Sequence, residues 1–281
     1  MRKKGAWINI LIILAFVTGL SLLLYPIVSN WWNARHQTRE VHIYSENVAG
    51  IDRDTLDEYW DAAAAYNRKM AQKGNPTTLI EEQQIQYEQT LNVAENGMMG
   101  YIEIPSMDIE LPIYHGTEET TLQRALGHIE WSSLPVGGES THSVTSGHRG
   151  LPSSKLFTDL DKVVEGDIFT LQILDRILTY EVDQILIVEP QDISALQIVK
   201  GKDYCTLVTC TPYGINTHRM LVRGHRIDNI EEEKVVRLTS EAVQVDPMIV
   251  AIIVAAPMLV LLLILVLLKD GGQRTGKKKK S

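Results

Sequence analysis

The stretch from Tyr204 to Gly214 holds the densest group of chemically capable residues in the chain. Alternating side chains predict a strand from Tyr204 to Cys210, which places Cys210 at the strand end, before a Thr-Pro-Tyr-Gly turn. A second alternating run begins at His218, and the two strands are predicted to form an antiparallel hairpin in which Arg219 is level with Cys210. A thiol beside a guanidinium is favoured as thiolate, so Cys210 is a candidate nucleophile, with a buried structural cysteine as the alternative.

The chain has two cysteines, Cys205 and Cys210. Five residues along one strand span roughly 16 Å, whereas a disulfide needs Cα atoms within about 7 Å. Cys205 also points to the opposite face of the strand, where we expect it to lie in the core. At least one free thiol, at Cys210, is therefore predicted.

A cysteine nucleophile needs an acid–base partner, most often histidine, and the chain has eight histidines. His148 lies in a Ser-Gly-His-Arg-Gly run, residues 146–150, where the flanking glycines allow close approach of backbone and ligand. The others lie in the predicted hairpin (His218, His225), beside glycines that indicate turns (His115, His128), or in no special pattern (His36, His42, His142). No Cys/His pair has the close spacing of zinc ligands, which argues against a metal site.

Short strands and turns surround these candidates. Runs such as Ile102/Ile104, Ile109/Leu111/Ile113 and Tyr180/Val182 alternate, and glycine and proline separate them, which is typical of a β-barrel or sandwich. Upstream, residues 51–96 show helical spacing, interrupted at 73–76. We therefore expect a helical segment ahead of a mostly β domain.

Two apolar runs, Trp7 to Val28 and Met248 to Leu268, carry no charge and are long enough to cross a bilayer core of about 30 Å as helices. A cleaved signal peptide is the alternative for the first run. Basic residues flank both runs on their terminal sides, so both termini are predicted to be cytoplasmic and residues 29–247 to face outward. A purely cytosolic enzyme is excluded.

The predicted plan is therefore a cytoplasmic N-terminus (1–6), an anchor (7–28), a helical segment (29–96), a catalytic β domain (97–230), a linker (231–247), a second transmembrane helix (248–268) and a basic tail (269–281). The net charge is −8 although both ends are basic. The outward part is therefore strongly acidic, which argues against nucleic acid as a partner.

Several of these motifs resemble those of sortases. Thr206-Leu207-Val208-Thr209-Cys210 is similar to the TLxTC motif of that family, and Asn216-Thr217-His218-Arg219 and the run 146–150 fit the same pattern. The segments 111–116, 133–138, 155–160 and 221–226 resemble class C, the pilin-polymerising branch. The resemblance covers about residues 97–227.

The resemblance implies a closed sortase β-barrel and a two-step transpeptidation without metal or organic cofactor. Cys210 would attack the Thr–Gly carbonyl of an LPxTG-like sorting signal in a pilin, Arg219 would bind the signal and stabilise the oxyanion, and His148 would transfer protons. Thr209 and Ser146 would contact the substrate. The thioester would pass to a lysine amine of another pilin subunit, assembling a covalent pilus at the cell surface.

One departure concerns the lid that class C sortases usually carry ahead of the barrel. Its Asp-Pro-Trp or Asp-Pro-Phe tripeptide does not occur between the anchor and the barrel, where the matching region is Asn75 to Glu82. We therefore expect a more open, less autoinhibited site. Three rival functions remain: attachment of surface proteins to the peptidoglycan precursor, a cysteine endopeptidase, and a non-enzymatic membrane-held adhesion or scaffold ectodomain.

Overall fold

The computed structural model describes residues 2–72 and 77–229, together with positions 255, 257–260 and 263–264. Its helices are α1 (Arg2–Ala49), α2 (Arg53–Gln72), α3 (Glu81–Gln89) and α4 (Glu119–Leu122). Its strands are β1 (Met98–Ile104), β2 (Ile109–His115), β3 (Leu126–His128), β4 (Thr141–Ser146), β5 (Ile168–Ile173), β6 (Arg176–Val188), β7 (Asp203–Thr211) and β8 (His218–Ile227).

The eight strands close into a barrel in the order β1-β2-β3-β4-β7-β8-β6-β5, with β5 pairing back onto β1. The β2–β3 and β4–β7 pairs are parallel, and the other pairs are antiparallel. Inward positions of successive strands, such as Ile102, Leu171, Leu207 and Val222, are fully buried and form the core. The predicted closed β-barrel with an N-terminal helical segment is confirmed.

The β7–β8 hairpin has the predicted register. Cys210 pairs with Arg219, and the ladder continues to Tyr204 opposite His225. Because side chains alternate along a strand, Cys205 points inward and is fully buried while Cys210 points outward and stays partly exposed. Both cysteines are free thiols, which agrees with the prediction of at least one.

The first helix is longer than the predicted anchor. It does not end at Val28 but continues to Ala49, because no glycine or proline interrupts it between Pro26 and Gly50. Val41, Tyr44 and Val48 recur at helical spacing and are buried in the barrel's hydrophobic core cluster. The Tyr44 hydroxyl donates to the Met99 carbonyl (2.8 Å), which fixes this part of α1 to the sheet.

Helices α2 and α3 confirm the predicted helical segment and pack against the barrel. Asn67 exchanges two hydrogen bonds with the backbone of Leu134, at 2.7 and 3.0 Å. Tyr87 of α3 reaches His128 at the end of β3, with 3.1 Å between the hydroxyl oxygen and Nδ1. The predicted break at 73–76 lies outside the described residues.

Residues 30–236 form one compact unit, which contains the barrel, and residues 1–29 with 237–281 form the other. Within the described residues one helix is long and apolar enough to span a membrane, and it lies near the N-terminus. Most of the predicted second span, 248–268, lies outside the described residues, although its described positions are helical. The linker 231–247 and the basic tail 269–281 also lie outside them.

Candidate active site

Cys210 is the accessible thiol of the barrel. It lies one residue before the end of β7, on the outer face, with a partly exposed side chain. The other thiol, Cys205, is fully buried, and this burial raises its pKa. Because only a thiolate is a strong nucleophile, Cys205 is unsuited to attack and Cys210 is the candidate nucleophile.

Arg219 lies directly across the hairpin from Cys210. Directly opposite residues of an antiparallel pair have Cβ atoms about 4.5–5.5 Å apart, so guanidinium and thiol share one face. The guanidinium donates through Nη1 to the carbonyl oxygens of His218 (3.1 Å) and Asn216 (3.3 Å), which holds it at the start of β8. Among the described residues it forms no ion pair with a carboxylate, so its charge is available to an anion.

His148 reaches the same edge through the parallel β4–β7 pair. Ser146 at the end of β4 pairs with Val208 of β7. His148 and Cys210 each lie two residues beyond this pair. The Gly147 amide donates to the Val208 carbonyl at 3.0 Å and extends the pairing past the strand end. Continuing this register by two residues places His148 level with Cys210, where neighbouring parallel strands lie about 4.8 Å apart.

The Thr209 hydroxyl helps to fix this arrangement. It is buried and donates to the Gly147 carbonyl at 2.8 Å, so it ties β7 to the residue before His148. Its hydroxyl is therefore occupied within the fold, and a role in positioning fits better than contact with a substrate. Ser146, the other predicted substrate contact, is half-buried at the end of β4.

Three other histidines are used by the fold. His115 bonds the carbonyl oxygens of Gly97 and Thr90, at 2.9 and 2.8 Å. Burial lowers the pKa of His128 to about 3 and that of His142 to about 4, so both are neutral at physiological pH. The rings of His128 and His142 are therefore poor proton carriers near pH 7.

Two further histidines lie in the β7–β8 hairpin, and each is near a carboxylate. His218 Nε2 lies 3.4 Å from Glu189, and His225 Nδ1 lies 3.9 Å from Asp183. His225 is level with Tyr204, at the far end of the hairpin from Cys210, and His218 is level with Thr211, on the face of the hairpin opposite to that of Cys210 and Arg219. Position therefore favours His148 as the acid–base partner.

Two residues near the site were not identified from the sequence. Arg149, only 9% exposed, pairs with Asp161 and lies 3.4 Å from the Thr211 hydroxyl, which joins the His148 segment to the residue after Cys210. Its position directly after His148 is the one feature of the sequence that could have indicated it. Glu119 of α4 approaches His148 from a distant part of the sequence, and no local pattern indicates it.

The segment that matches the class C lid is only partly described. Leu79 packs against the hydrophobic core, whereas Thr77, Thr78 and Ile80 are exposed. In the described part, no hydrogen bond, ion pair or ring contact joins residues 77–80 to Cys210. A more open site remains a prediction.

The site brings a thiol, a guanidinium and an imidazole to one edge of the barrel. A thiolate can attack a carbonyl, a guanidinium can stabilise the resulting oxyanion, and an imidazole can protonate the leaving amine. Within the described residues, no three His, Cys, Asp or Glu side chains form a group that could hold a metal ion. The arrangement is suited to acyl transfer through a thioester.

Comparison with known proteins agrees with this chemistry. The Sortase domain family matches residues 102–227. Sortase C1 from Streptococcus agalactiae is 51% identical with a TM-score of 0.67, covering 68% of this chain and 100% of that one.

Two further structures are each 44% identical. Streptococcus pneumoniae sortase C has a TM-score of 0.60, with 68% of this chain and 97% of that one covered. Clostridium perfringens sortase C, solved with the C-terminal cell wall sorting motif, has a TM-score of 0.61, with 68% and 100% covered. These neighbours are class C sortases. The chain therefore belongs to the sortase family and is a cysteine transpeptidase.

Proposed function

We propose that this chain is a pilin polymerase, which cleaves an LPxTG-like sorting signal and joins the pilin to a lysine of another pilin. The observation that carries the proposal is the 51% identity to the whole chain of a solved sortase C1 structure, with Cys210 and Arg219 paired at one barrel edge. The structure of S. pneumoniae sortase C was described in terms of pilin substrate specificity. The C. perfringens structure was solved with the C-terminal cell wall sorting motif, and a motif of this kind is the expected donor.

In the first step the Cys210 thiolate attacks the carbonyl carbon between threonine and glycine of the sorting signal. Arg219 stabilises the oxyanion of the tetrahedral intermediate, a contribution worth about 10²–10³-fold in rate for a single donor. As the C–N bond breaks, His148 gives its proton to the glycine amine, which leaves. The products are a thioester at Cys210 and a neutral His148.

In the second step a pilin lysine attacks the thioester. The new C–N bond forms, the C–S bond breaks, and Cys210 leaves as thiolate. Of the two protons that the lysine ammonium loses, one remains on His148 and the other passes to solvent. The free enzyme is restored, and the two pilins are joined by an isopeptide bond.

The N-terminal apolar helix suggests membrane anchoring. We propose a two-pass arrangement with both termini in the cytoplasm and the barrel outside, as the flanking basic residues indicate. A membrane-held enzyme would meet pilins while their sorting signals are still held at the same surface. That proximity raises the effective concentration of both substrates.

The test mixes the full chain, in detergent micelles, with a recombinant pilin that carries an LPxTG-like signal, and analyses the products by mass spectrometry. Wild type and the matched control Cys205→Ala are expected to give a ladder of lysine-linked pilin multimers, and Cys210→Ala none. Cleaved monomer alone, converted to a conjugate when a cell-wall acceptor peptide is supplied, would instead support attachment to the peptidoglycan precursor. Cleaved monomer without conjugate would indicate an endopeptidase.

A further inference from the structure

A carboxylate faces the acid–base residue of the site. Glu119 Oε2 lies 3.6 Å from His148 Nε2, beyond a normal hydrogen bond. The Nε2 atom is itself buried and has no hydrogen-bond partner among the described residues. His148 Nε2 and the Glu119 carboxylate oxygen thus face each other without a hydrogen bond between them.

The Glu119 carboxylate is held in place but not neutralised. Its Oε1 accepts a hydrogen bond from Gln123 Nε2 at 3.0 Å, within one turn of the chain. The side chain is 68% exposed, so a substrate can reach it. Within the described residues no lysine or arginine forms an ion pair with it. In the described part of the chain, His148 is the one side chain paired with this carboxylate that can carry a positive charge, and it does so only while it is protonated.

We propose that Glu119 binds the ammonium group of the acceptor lysine beside His148. The inference rests on the proposed function and adds the place where the second substrate binds. Before cleavage a protonated His148 lies opposite the carboxylate. After His148 has given its proton to the leaving glycine amine, the carboxylate has lost its cation, and the incoming ammonium replaces it at the moment when a base is needed.

The proton balance of the second step agrees with this position. A lysine amine has a pKa of about 10.4, so the acceptor arrives as a cation and must be deprotonated before it attacks. An ammonium held by Glu119 Oε2 lies within reach of His148 Nε2, which is 3.6 Å from that oxygen. One proton passes to His148 and the other to solvent, while the C–N bond forms and the Cys210–acyl bond breaks.

The test compares Glu119→Gln with Glu118→Gln in the full chain. Glu118 is the matched control, because it is adjacent and exposed, loses the same charge, and lies against Gly116 rather than His148. The thioester is formed with a sorting-signal peptide and resolved either by a lysine-bearing pilin or by hydroxylamine, which is uncharged at neutral pH. Selectivity is the kcat/KM for the lysine acceptor divided by that for hydroxylamine.

Glu119→Gln is expected to lower this selectivity about three- to fivefold, as for loss of an exposed ion pair, while Glu118→Gln keeps the wild-type value. Equal losses with both acceptors would overturn the inference, because Glu119 would then act only through His148. Equal selectivity in the two variants would overturn it as well. If wild type forms the thioester but gives no lysine product, the proposed polymerase function fails, and the inference fails with it.

Discussion

His128 should make the fold sensitive to acid. Its ring is buried, with Nε2 2.8 Å from the Ser133 carbonyl and Nδ1 3.1 Å from the Tyr87 hydroxyl, and burial lowers its pKa from 6.5 to about 3. In the unfolded chain the ring takes up a proton below pH 6.5, whereas the folded chain resists this down to about pH 3. The stability that the neutral ring contributes is therefore complete above pH 6.5 and is lost as the pH falls.

The size of the effect follows from the distance in pH between the unfolded pKa and the test condition. At pH 5 the folded ring is neutral, whereas the unfolded ring is protonated because the pH lies 1.5 units below its pKa of 6.5. At 1.36 kcal/mol per unit, this difference lowers the free energy of unfolding by about 2 kcal/mol. His142, whose pKa is lowered to about 4, adds a similar amount. The free energy of unfolding is thus expected to fall by roughly 4 kcal/mol between pH 8 and pH 5 from these two groups.

The assay is urea unfolding of the full chain in detergent micelles, followed by tryptophan fluorescence at pH 8 and pH 5. His128→Gln cannot be protonated, so its loss between the two pH values should be smaller than that of wild type by about 2 kcal/mol. His42→Gln, on an exposed part of α1, is the control and should follow wild type. A His128→Gln variant with the wild-type pH dependence would refute the reasoning.

Two further predictions concern the active-site edge. Gly147→Ala places a Cβ 2.5 Å from the Leu126 side chain and 2.7 Å from that of Phe157, so either these side chains or the segment that carries His148 must shift. We expect transpeptidation to fall at least tenfold and the free energy of unfolding by about 1–3 kcal/mol, measured by peptide cleavage and urea unfolding; unchanged cleavage would contradict this. Replacing the exposed residues Thr77, Thr78 and Ile80 by Gly or Ser should change the rate of Cys210 labelling by a thiol reagent less than about twofold, because they make no described polar contact with the thiol. A sharp acceleration would show that they cover it.

The helical segment ahead of the barrel is part of the core rather than a removable cover. Leu56, Tyr66, Tyr87 and Leu91 are buried within the same hydrophobic cluster as the barrel interior. Deleting residues 51–95 would therefore disrupt packing as well as expose the site. For this reason the lid test replaces exposed residues only and leaves these buried side chains in place.

Much of the fold follows from local patterns. Side chains alternate along a strand, and a hairpin joins neighbours in sequence, so the pairing of Cys210 with Arg219 and the burial of Cys205 were predictable. The helical spacing of Leu56 and Ala63 likewise indicated α2. The end of the first helix was less predictable, because the apolar run stops at Val28 while an amphipathic pattern continues the same helix to Ala49.

The position of His148 depended on tertiary structure. Motif resemblance singled it out among eight histidines, but only the parallel β4–β7 pair brings it level with Cys210. The local sequence determines which side chains share a face of a strand, because that depends on backbone geometry over a few residues. Which strands become neighbours depends on burying all their inward faces at once, and the approach of Glu119 to His148 follows from that packing. The local sequence therefore determined the pairing of Cys210 with Arg219, and the closed barrel determined the surroundings of His148.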